Sequence, residues 1–232
     1  MGLYVETVVR TGLPELWERS QNPTQHQRWD LRFTSIDYLP RAEGEPQRFR
    51  YATRVLPFLA VDGTGVSSGE AHRADGTRVS ALRFASAHPL SLIASGSGYW
   101  RYVPGPDGIR FLTGYDYRPR WGRFGALADR LVFRPLMGWA TAWSFDRLRL
   151  WCERGTSPAA GLARALAETA VRLLVCVLAA VLLPAVFAVL PVAAALLLPP
   201  LPGTPAARRC LRTPPGRAAA PAPRLLATLD RP

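Results

Sequence analysis

A chain of 232 residues that is 48% hydrophobic and 20% charged, with three cysteines and a net charge of +12, is not a disulfide-stapled miniprotein, a coiled coil or a wholly disordered polymer. Its basic residues are all arginine and are unevenly spread: 13 against 12 acids in residues 1–117, 10 against 4 in 118–172, and 6 against 1 in 173–232. Every aromatic residue except Phe187 lies at or before Trp151, so an aromatic, nearly neutral part meets a basic, aliphatic part near residue 155.

The opening Met1-Gly2-Leu3-Tyr4-Val5-Glu6-Thr7 reaches Glu6 before an apolar stretch develops, which reads against a secretory signal, and Glu6 also stands where a myristoylation motif needs Ser or Thr. Leu3, Val5, Thr7 and Val9 alternate as one face of a first strand. Gly12-Leu13-Pro14 then opens a short helix carrying Leu16 and Trp17, and Pro23 restarts a second that ends near Trp29. Strands are expected at about 31–38, 47–56, 62–72, 77–86, 94–103 and 108–118, separated by turns such as Ala74-Asp75-Gly76 and Pro106-Asp107-Gly108.

Two of these strands have a clear covered face. Phe49, Tyr51, Thr53 and Val55 alternate with Arg48, Arg50 and Arg54, and Ile109, Phe111, Thr113, Tyr115 and Tyr117 share a face of the last strand. Rings mixed with hydroxyls suit a cavity as well as they suit plain core. Residues 126–153 are helical in pattern, with Pro135 near a start or bend. Leu136, Trp139, Ala140, Trp143, Arg147 and Trp151 form a stripe at spacings of three and four that must lie on something, and the covered face of the sheet is the candidate surface.

Residues 156–170 read as a juxtamembrane helix or linker. From Leu173 to Leu201 no residue is charged. As one helix this run would be ~43 Å long at ~1.5 Å per residue, against a hydrocarbon core of ~30 Å, enough for one span and short for two. Residues 171–201 are therefore expected to be a transmembrane segment. Pro184 and Pro191 interrupt it, and the arginines on both flanks prefer the cytoplasm, so a re-entrant hairpin stands beside the single span that length favours. Arg172, Arg208 and Arg209 are placed to meet anionic headgroups. Residues 202–232, rich in Arg, Pro and Ala and without aromatics, read as a disordered tail.

Chemistry is sparse. Gly65-Val66-Ser67-Ser68-Gly69 matches the nucleophile-elbow pattern, but it leads into another strand, where the elbow needs a strand-to-helix turn. Gly96-Ser97-Gly98 lacks the third glycine and the following helix of a dinucleotide site and reads as a bulge. Cys152, Cys176 and Cys210 are far apart, and His26, His72 and His88 have no ligand spacing with one another or with cysteine, so no metal or redox cofactor is expected. His26 is the histidine of most interest, preceding Trp29 and Asp30 near the presumed cavity mouth. Nucleic acid is not an expected partner, because the basic excess sits beside the apolar run and the first 117 residues are nearly neutral.

Leu13-Pro14-Glu15-Leu16-Trp17-Glu18, then Asn22-Pro23-Thr24-Gln25-His26-Gln27-Arg28-Trp29-Asp30, and the strand run closed by a long helix resemble the START/Bet v 1 (SRPBCC) helix-grip superfamily over about residues 1–155. The resemblance implies an α+β fold in which a curved antiparallel sheet wraps a long C-terminal helix around a hydrophobic cavity. It carries no chemistry of its own, since members include lipid carriers, hormone receptors and polyketide aromatase/cyclases. The membrane segment after the grip helix departs from most members. The expected function is membrane-anchored binding of a hydrophobic or amphipathic small molecule, lipid or polyketide-like, with the domain in the cytoplasm. Trp29, Phe49, Tyr51, Phe111, Tyr115, Tyr117, Trp139 and Trp143 are the candidate cavity wall, and no catalytic residue stands out. A cyclase/aromatase-like enzyme and a ligand-free membrane scaffold are the alternatives. Residues 1–155 are expected to hold the whole core, with Trp143 facing Tyr115 and Tyr117.

Overall fold

A computed structural model describes residues 2–56 and 58–216. In chain order the elements are β1 (Leu3–Val9), α1 (Leu13–Gln21), α2 (Pro23–Trp29), β2 (Ser35–Tyr38), β3 (Gln47–Leu56), β4 (Leu59–His72), β5 (Arg78–Ala85), β6 (Ile93–Gly105) and β7 (Gly108–Pro119). Then follow α3 (Gly122–Ala128), a π turn (Asp129–Phe133), α4 (Arg134–Arg154), α5 (Pro158–Leu182), α6 (Ala185–Leu197) and a 3-10 turn (Ala207–Arg209). The strands form one antiparallel sheet in the order β1-β7-β6-β5-β4-β3-β2. Each strand from β2 to β7 pairs with the next in sequence, and β1 closes the far edge on β7, Leu3 opposite Tyr115 through Val9 opposite Ile109. With α4 gripped by this sheet, the architecture is the helix-grip α+β fold.

The alternation that defined β3 and β7 in the sequence sets their inner faces. Across β3 and β4, Tyr51 stands opposite Gly63 and Phe49 opposite Gly65. A Cβ at either glycine would run into the facing ring, so these glycines let the rings lie flat across the strand pair and let the sheet curve.

The inside of the grip is half filled. Val5, Val9, Leu16, Trp29, Tyr102, Phe111, Phe145 and Leu148 are essentially unexposed and form one cluster. Phe111 stacks on Phe145 at 4.4 Å, and the Tyr102 hydroxyl meets Ser20 Oγ at 2.7 Å and accepts from Gln21 Nε2 at 2.8 Å. The β1, α1 and α4 side of the domain is therefore packed solid.

The C-terminal segment differs from the sequence expectation in two ways. The apolar run is not one rod: α5 ends at Leu182, the chain turns at Leu183-Pro184, and α6 packs back against α5. The stretch from Thr204 to Leu211, within the residues 202–232 expected to be disordered, is docked on the domain. Ala206, Ala207 and Cys210 are buried, and Leu211 makes an antiparallel bridge to Glu6 on the outer edge of β1, with both N–H···O contacts at 2.9 Å. Composition misleads here because a proline-rich stretch without aromatics reads as disordered, whereas its small residues Ala206 and Ala207 are buried by close approach to the domain. Residues 217–232 lie outside the described residues, as does the side chain of Val55. The core is thus not confined to residues 1–155, since Ala207 and Cys210 belong to the same cluster as Phe145.

Candidate functional site

Beside the filled half lies a cavity of ≈ 150 Å³, between α2, the inner faces of β3 to β7, and the start of α4. Its apolar wall includes Phe33, Ile36, Phe49, Leu82, Phe84 and Trp100, with Met137 from α4, and its hydroxyls include Tyr51, Thr113 and Tyr115. The Tyr115 hydroxyl is held by Thr141 Oγ1 at 2.9 Å.

One corner is ionic. Asp30, which ends α2, is unexposed and accepts from Arg32 through Nε at 2.9 Å and Nη2 at 2.6 Å, from the Arg32 amide at 3.0 Å, and from His26 Nε2 at 3.0 Å. His26 and Arg32 line the cavity. The Arg32 guanidinium stands 5.4 Å from the ring centres of both Phe33 and Tyr115, and Trp29 stacks on His26 at 4.9 Å. The corner forms locally: His26 and Asp30 are one helical turn apart on α2, and Arg32 follows where the chain leaves the helix. Ser144 Oγ on α4 accepts from the Leu31 amide at 2.9 Å.

The protonation states follow from burial and pairing. Burial alone would raise the Asp30 carboxyl, but the Arg32 guanidinium, with His26, holds it well below the usual carboxylate range. Burial would lower Arg32 and Asp30 more than compensates, so the guanidinium stays charged. Burial depresses His26 further than Asp30 restores it, with Arg32 adding to the depression, so the imidazole is neutral near pH 7. Its Nε2 points at the carboxylate, which fixes the proton there and leaves Nδ1 as an acceptor. Burial pushes the Tyr51 hydroxyl up to about 12 and raises Tyr115 as well, so both remain neutral donors. The corner carries no net charge and places polar groups beside an otherwise largely apolar wall.

The eight candidate wall residues fall into distinct places. Phe49, Tyr51 and Tyr115 line the cavity. Trp29 backs His26 and donates from Nε1 to the Arg19 carbonyl at 2.8 Å. Phe111 sits in the filled core. Tyr117 donates to Asp129 Oδ1 at 2.5 Å, with Arg134 on the other carboxylate oxygen at 2.9 Å. Trp139 is 44% exposed. Trp143 is buried but stacks on Trp139 at 6.5 Å and lies under Arg147 at 5.4 Å, rather than facing Tyr115 and Tyr117. The inward stripe of α4 is Met137, Thr141, Phe145 and Leu148, and Trp143 lies about 160° around the helix from Thr141 at ~3.6 residues per turn. Arg147, over the Trp143 ring, donates to the Pro158 carbonyl at 2.8 Å.

The Asp30–Arg32 pair was missed in the sequence. The one signal available was the i, i+4 spacing of His26 and Asp30. Ser67 lies inside strand β4, lacks the turn an elbow needs, and contributes to the cavity wall instead. Among the described residues no three His, Cys, Asp or Glu side chains converge as metal ligands. Two of the three arginines assigned to headgroups are engaged internally. Arg172 bonds Glu168 and the carbonyls of Ala195, Leu198 and Pro199, and Arg209 bonds Asp146 and the carbonyls of Pro200, Leu201 and Thr204. Arg208 is exposed.

No family model matches the chain. It is 50% identical over 157 residues to the uncharacterized membrane protein YndG of Bacillus subtilis (strain 168), a match covering 67% of this chain and 59% of that protein. Among solved structures it is similar to TTHA0849 from Thermus thermophilus (16% identical, 66% of this chain and 99% of that one, TM-score 0.48). It is also similar to a STAR-related lipid transfer protein from Xanthomonas axonopodis (17%, 62% and 81%, TM-score 0.47) and to the Zhui aromatase/cyclase from Streptomyces sp. R1128 (14%, 64% and 95%, TM-score 0.42). The helix-grip assignment stands on the chain's own strand order and register. Among the described residues one helix, α5, is long and apolar enough to cross a membrane, with a mean hydropathy of 2.1 over its most apolar stretch.

Proposed function

We propose that this chain is a membrane-attached binding protein for a small hydrophobic or amphipathic molecule held in the helix-grip cavity, on the cytoplasmic side. The observation that carries this reading is a hollow placed between a solid core and a neutral ionic corner whose charges are already matched. A filled scaffold would have no use for buried groups such as Arg32 and Asp30, whose desolvation is costly unless fully compensated. The size of the hollow narrows the ligand. A dry apolar cavity of about 150 Å³ accommodates benzene, whereas drug-sized ligands occupy about 300–1,000 Å³. A cavity of this volume suits a ring system or a short chain bearing one hydrogen-bonding group, and is too small for two acyl chains.

A cyclase-like enzyme is the second reading, and one observation favours it: a neutral imidazole, oriented by a carboxylate, lines the cavity and could accept a proton through Nδ1. Binding of 1-aminoanthracene to the full chain in lipid nanodiscs, with native mass spectrometry for co-purified ligand, tests the reading. Leu82→Trp, which fills the hollow, is expected to abolish probe binding, while Trp143→Ala is expected to leave it unchanged. Equal probe binding by wild type and Leu82→Trp would refute the cavity as the site. Chemical conversion of a co-purified ligand that is lost in His26→Gln, with binding retained, would establish the enzyme.

A further inference from the structure

The two ends of the apolar segment are fastened to the same folded body. At its start the Pro158 carbonyl accepts from Arg147 of α4 at 2.8 Å. At its far end Asp146 accepts from the Ala206 amide at 2.8 Å, Cys210 Sγ lies 3.2 Å from the Ala142 carbonyl, and Leu211 pairs with Glu6 on β1. A chain that crossed the bilayer once would leave Leu211 on the opposite face from Glu6. A single crossing is therefore incompatible with these contacts.

The shape of the segment between those ends agrees. Arg172 and Glu168 form a polar neck. Arg172 ties Glu168 at 2.7 Å to the Ala195, Leu198 and Pro199 carbonyls at 2.6, 2.9 and 3.0 Å, and Glu168 accepts from the Leu201 amide at 3.2 Å. Beyond the neck no residue is charged, and Leu174, Leu178, Val181, Val186, Phe187 and Leu190 are all exposed. From Arg172 to the turn at Leu183 the limb is about 17 Å long at ~1.5 Å per residue, roughly half of a ~30 Å hydrocarbon core. Pro184 brings no N–H to the turn, and its carbonyl accepts from Phe187 and Ala188 at 2.9 and 3.1 Å, which lessens the cost of bending the backbone in hydrocarbon. On the domain side of the neck Arg154, Arg164, Arg208 and Arg212 are exposed, where anionic headgroups would meet them.

We infer that α5 and α6 form a hairpin that enters only the leaflet facing the domain and returns, so that the domain and the C-terminus lie on the same side. The occupant of the exposed apolar faces is the acyl-chain layer of that leaflet. The inference rests on the membrane attachment proposed above, and the two fail differently.

The test uses the full chain with a C-terminal epitope tag. After alkaline carbonate washing the protein is expected in the membrane pellet; complete release would refute attachment itself. The tag and the domain are expected to be digested by added protease only in inside-out vesicles. Leu183→Cys, read as labelling in excess of that given by the free Cys152, Cys176 and Cys210 of the unsubstituted chain, is expected to resist a membrane-impermeant maleimide added outside intact spheroplasts and to react once detergent is added. A pelleted protein whose tag is digested from the outside would establish a single span. Labelling of Leu183→Cys from the outside would establish two full crossings. Either result would overturn the hairpin while leaving attachment intact.

Discussion

Asp146 is where the returning tail is fastened, and its loss has a calculable consequence. The carboxylate is unexposed; one oxygen takes Arg149 through Nε at 2.8 Å and Nη2 at 2.7 Å, and the other takes the Ala206 amide at 2.8 Å and Arg209 Nη1 at 3.0 Å. Asp146→Ala leaves two guanidinium groups and a buried amide without their shared acceptor. Removing one partner of a buried ionic cluster costs about 3–5 kcal/mol. The two arginine side chains are 17% and 25% exposed, and Arg149 keeps Glu153 at 2.7 Å, so the lower end, about 3 kcal/mol, is expected on the same scale. Asp146→Asn keeps an oxygen acceptor and is expected to lose less.

Urea unfolding of the full chain in detergent, followed by near-ultraviolet circular dichroism, measures the cost. Limited trypsin digestion measures the release of the tail, because Arg209, held by Asp146 and by the Pro200, Leu201 and Thr204 carbonyls, becomes accessible once the segment lifts from α4. A loss below about 1 kcal/mol, the scale of an exposed ion pair, together with an unchanged tryptic pattern, would refute the docking of residues 202–212 as a structural contact.

Acid is expected to weaken the fold in two steps. His26 has a depressed pKa in the folded state, so as pH falls through the ordinary histidine range the unfolded chain takes up a proton that the folded chain refuses, and stability drops. His26→Phe is expected to flatten the melting temperature between pH 7 and about pH 5, around the usual histidine pKa. Asp30, depressed by Arg32, contributes stability that is fully present above the ordinary carboxylate range and lost as pH falls below it; Asp30→Asn is expected to be less stable than wild type at neutral pH and to lose less below about pH 4.

The strands were legible because each inner face alternates. Gln47 to Arg54 and Ile109 to Tyr117 announce both an element and its orientation, and Phe49, Tyr51 and Tyr115 line the hollow for that reason. The grip helix was legible as a helix and illegible as a surface. It carries two apolar stripes, one through Thr141, Phe145 and Leu148 and one through Trp139 and Trp143, because it is covered on more than one side. A single sequence ranks such stripes by ring size and so favours the tryptophans, although the smaller residues face the sheet. The ionic corner was hidden differently, since Arg32 is one arginine among 29 basic residues, and only the approach of β7 and α4 makes it part of a cavity wall.

The boundary near residue 155 is a change of composition without being a boundary of the fold, and this yields a last prediction. Ala207 and Cys210 belong to the central cluster, Asp146 is satisfied from the tail, and Leu211 covers the outer edge of β1. A fragment ending at residue 155 strips all three and leaves β1 as an open edge, a template for association. The hairpin between the two docked ends contributes none of these contacts. Its ends are close: a Cβ at Gly161 would lie 3.2 Å from Pro205 Cγ, and Arg154 reaches the Pro202 carbonyl at 3.4 Å. Joining residue 161 to residue 203 through a short Gly/Ser linker is therefore expected to give a soluble, cooperatively unfolding protein. The 1–155 fragment is expected to be less stable by at least the loss predicted for Asp146→Ala, and to aggregate as it unfolds. Thermal unfolding of the two proteins side by side decides the matter. Equal stability would mean that the tail rests on the domain without supporting it, and the argument against a single membrane crossing would lose its anchor.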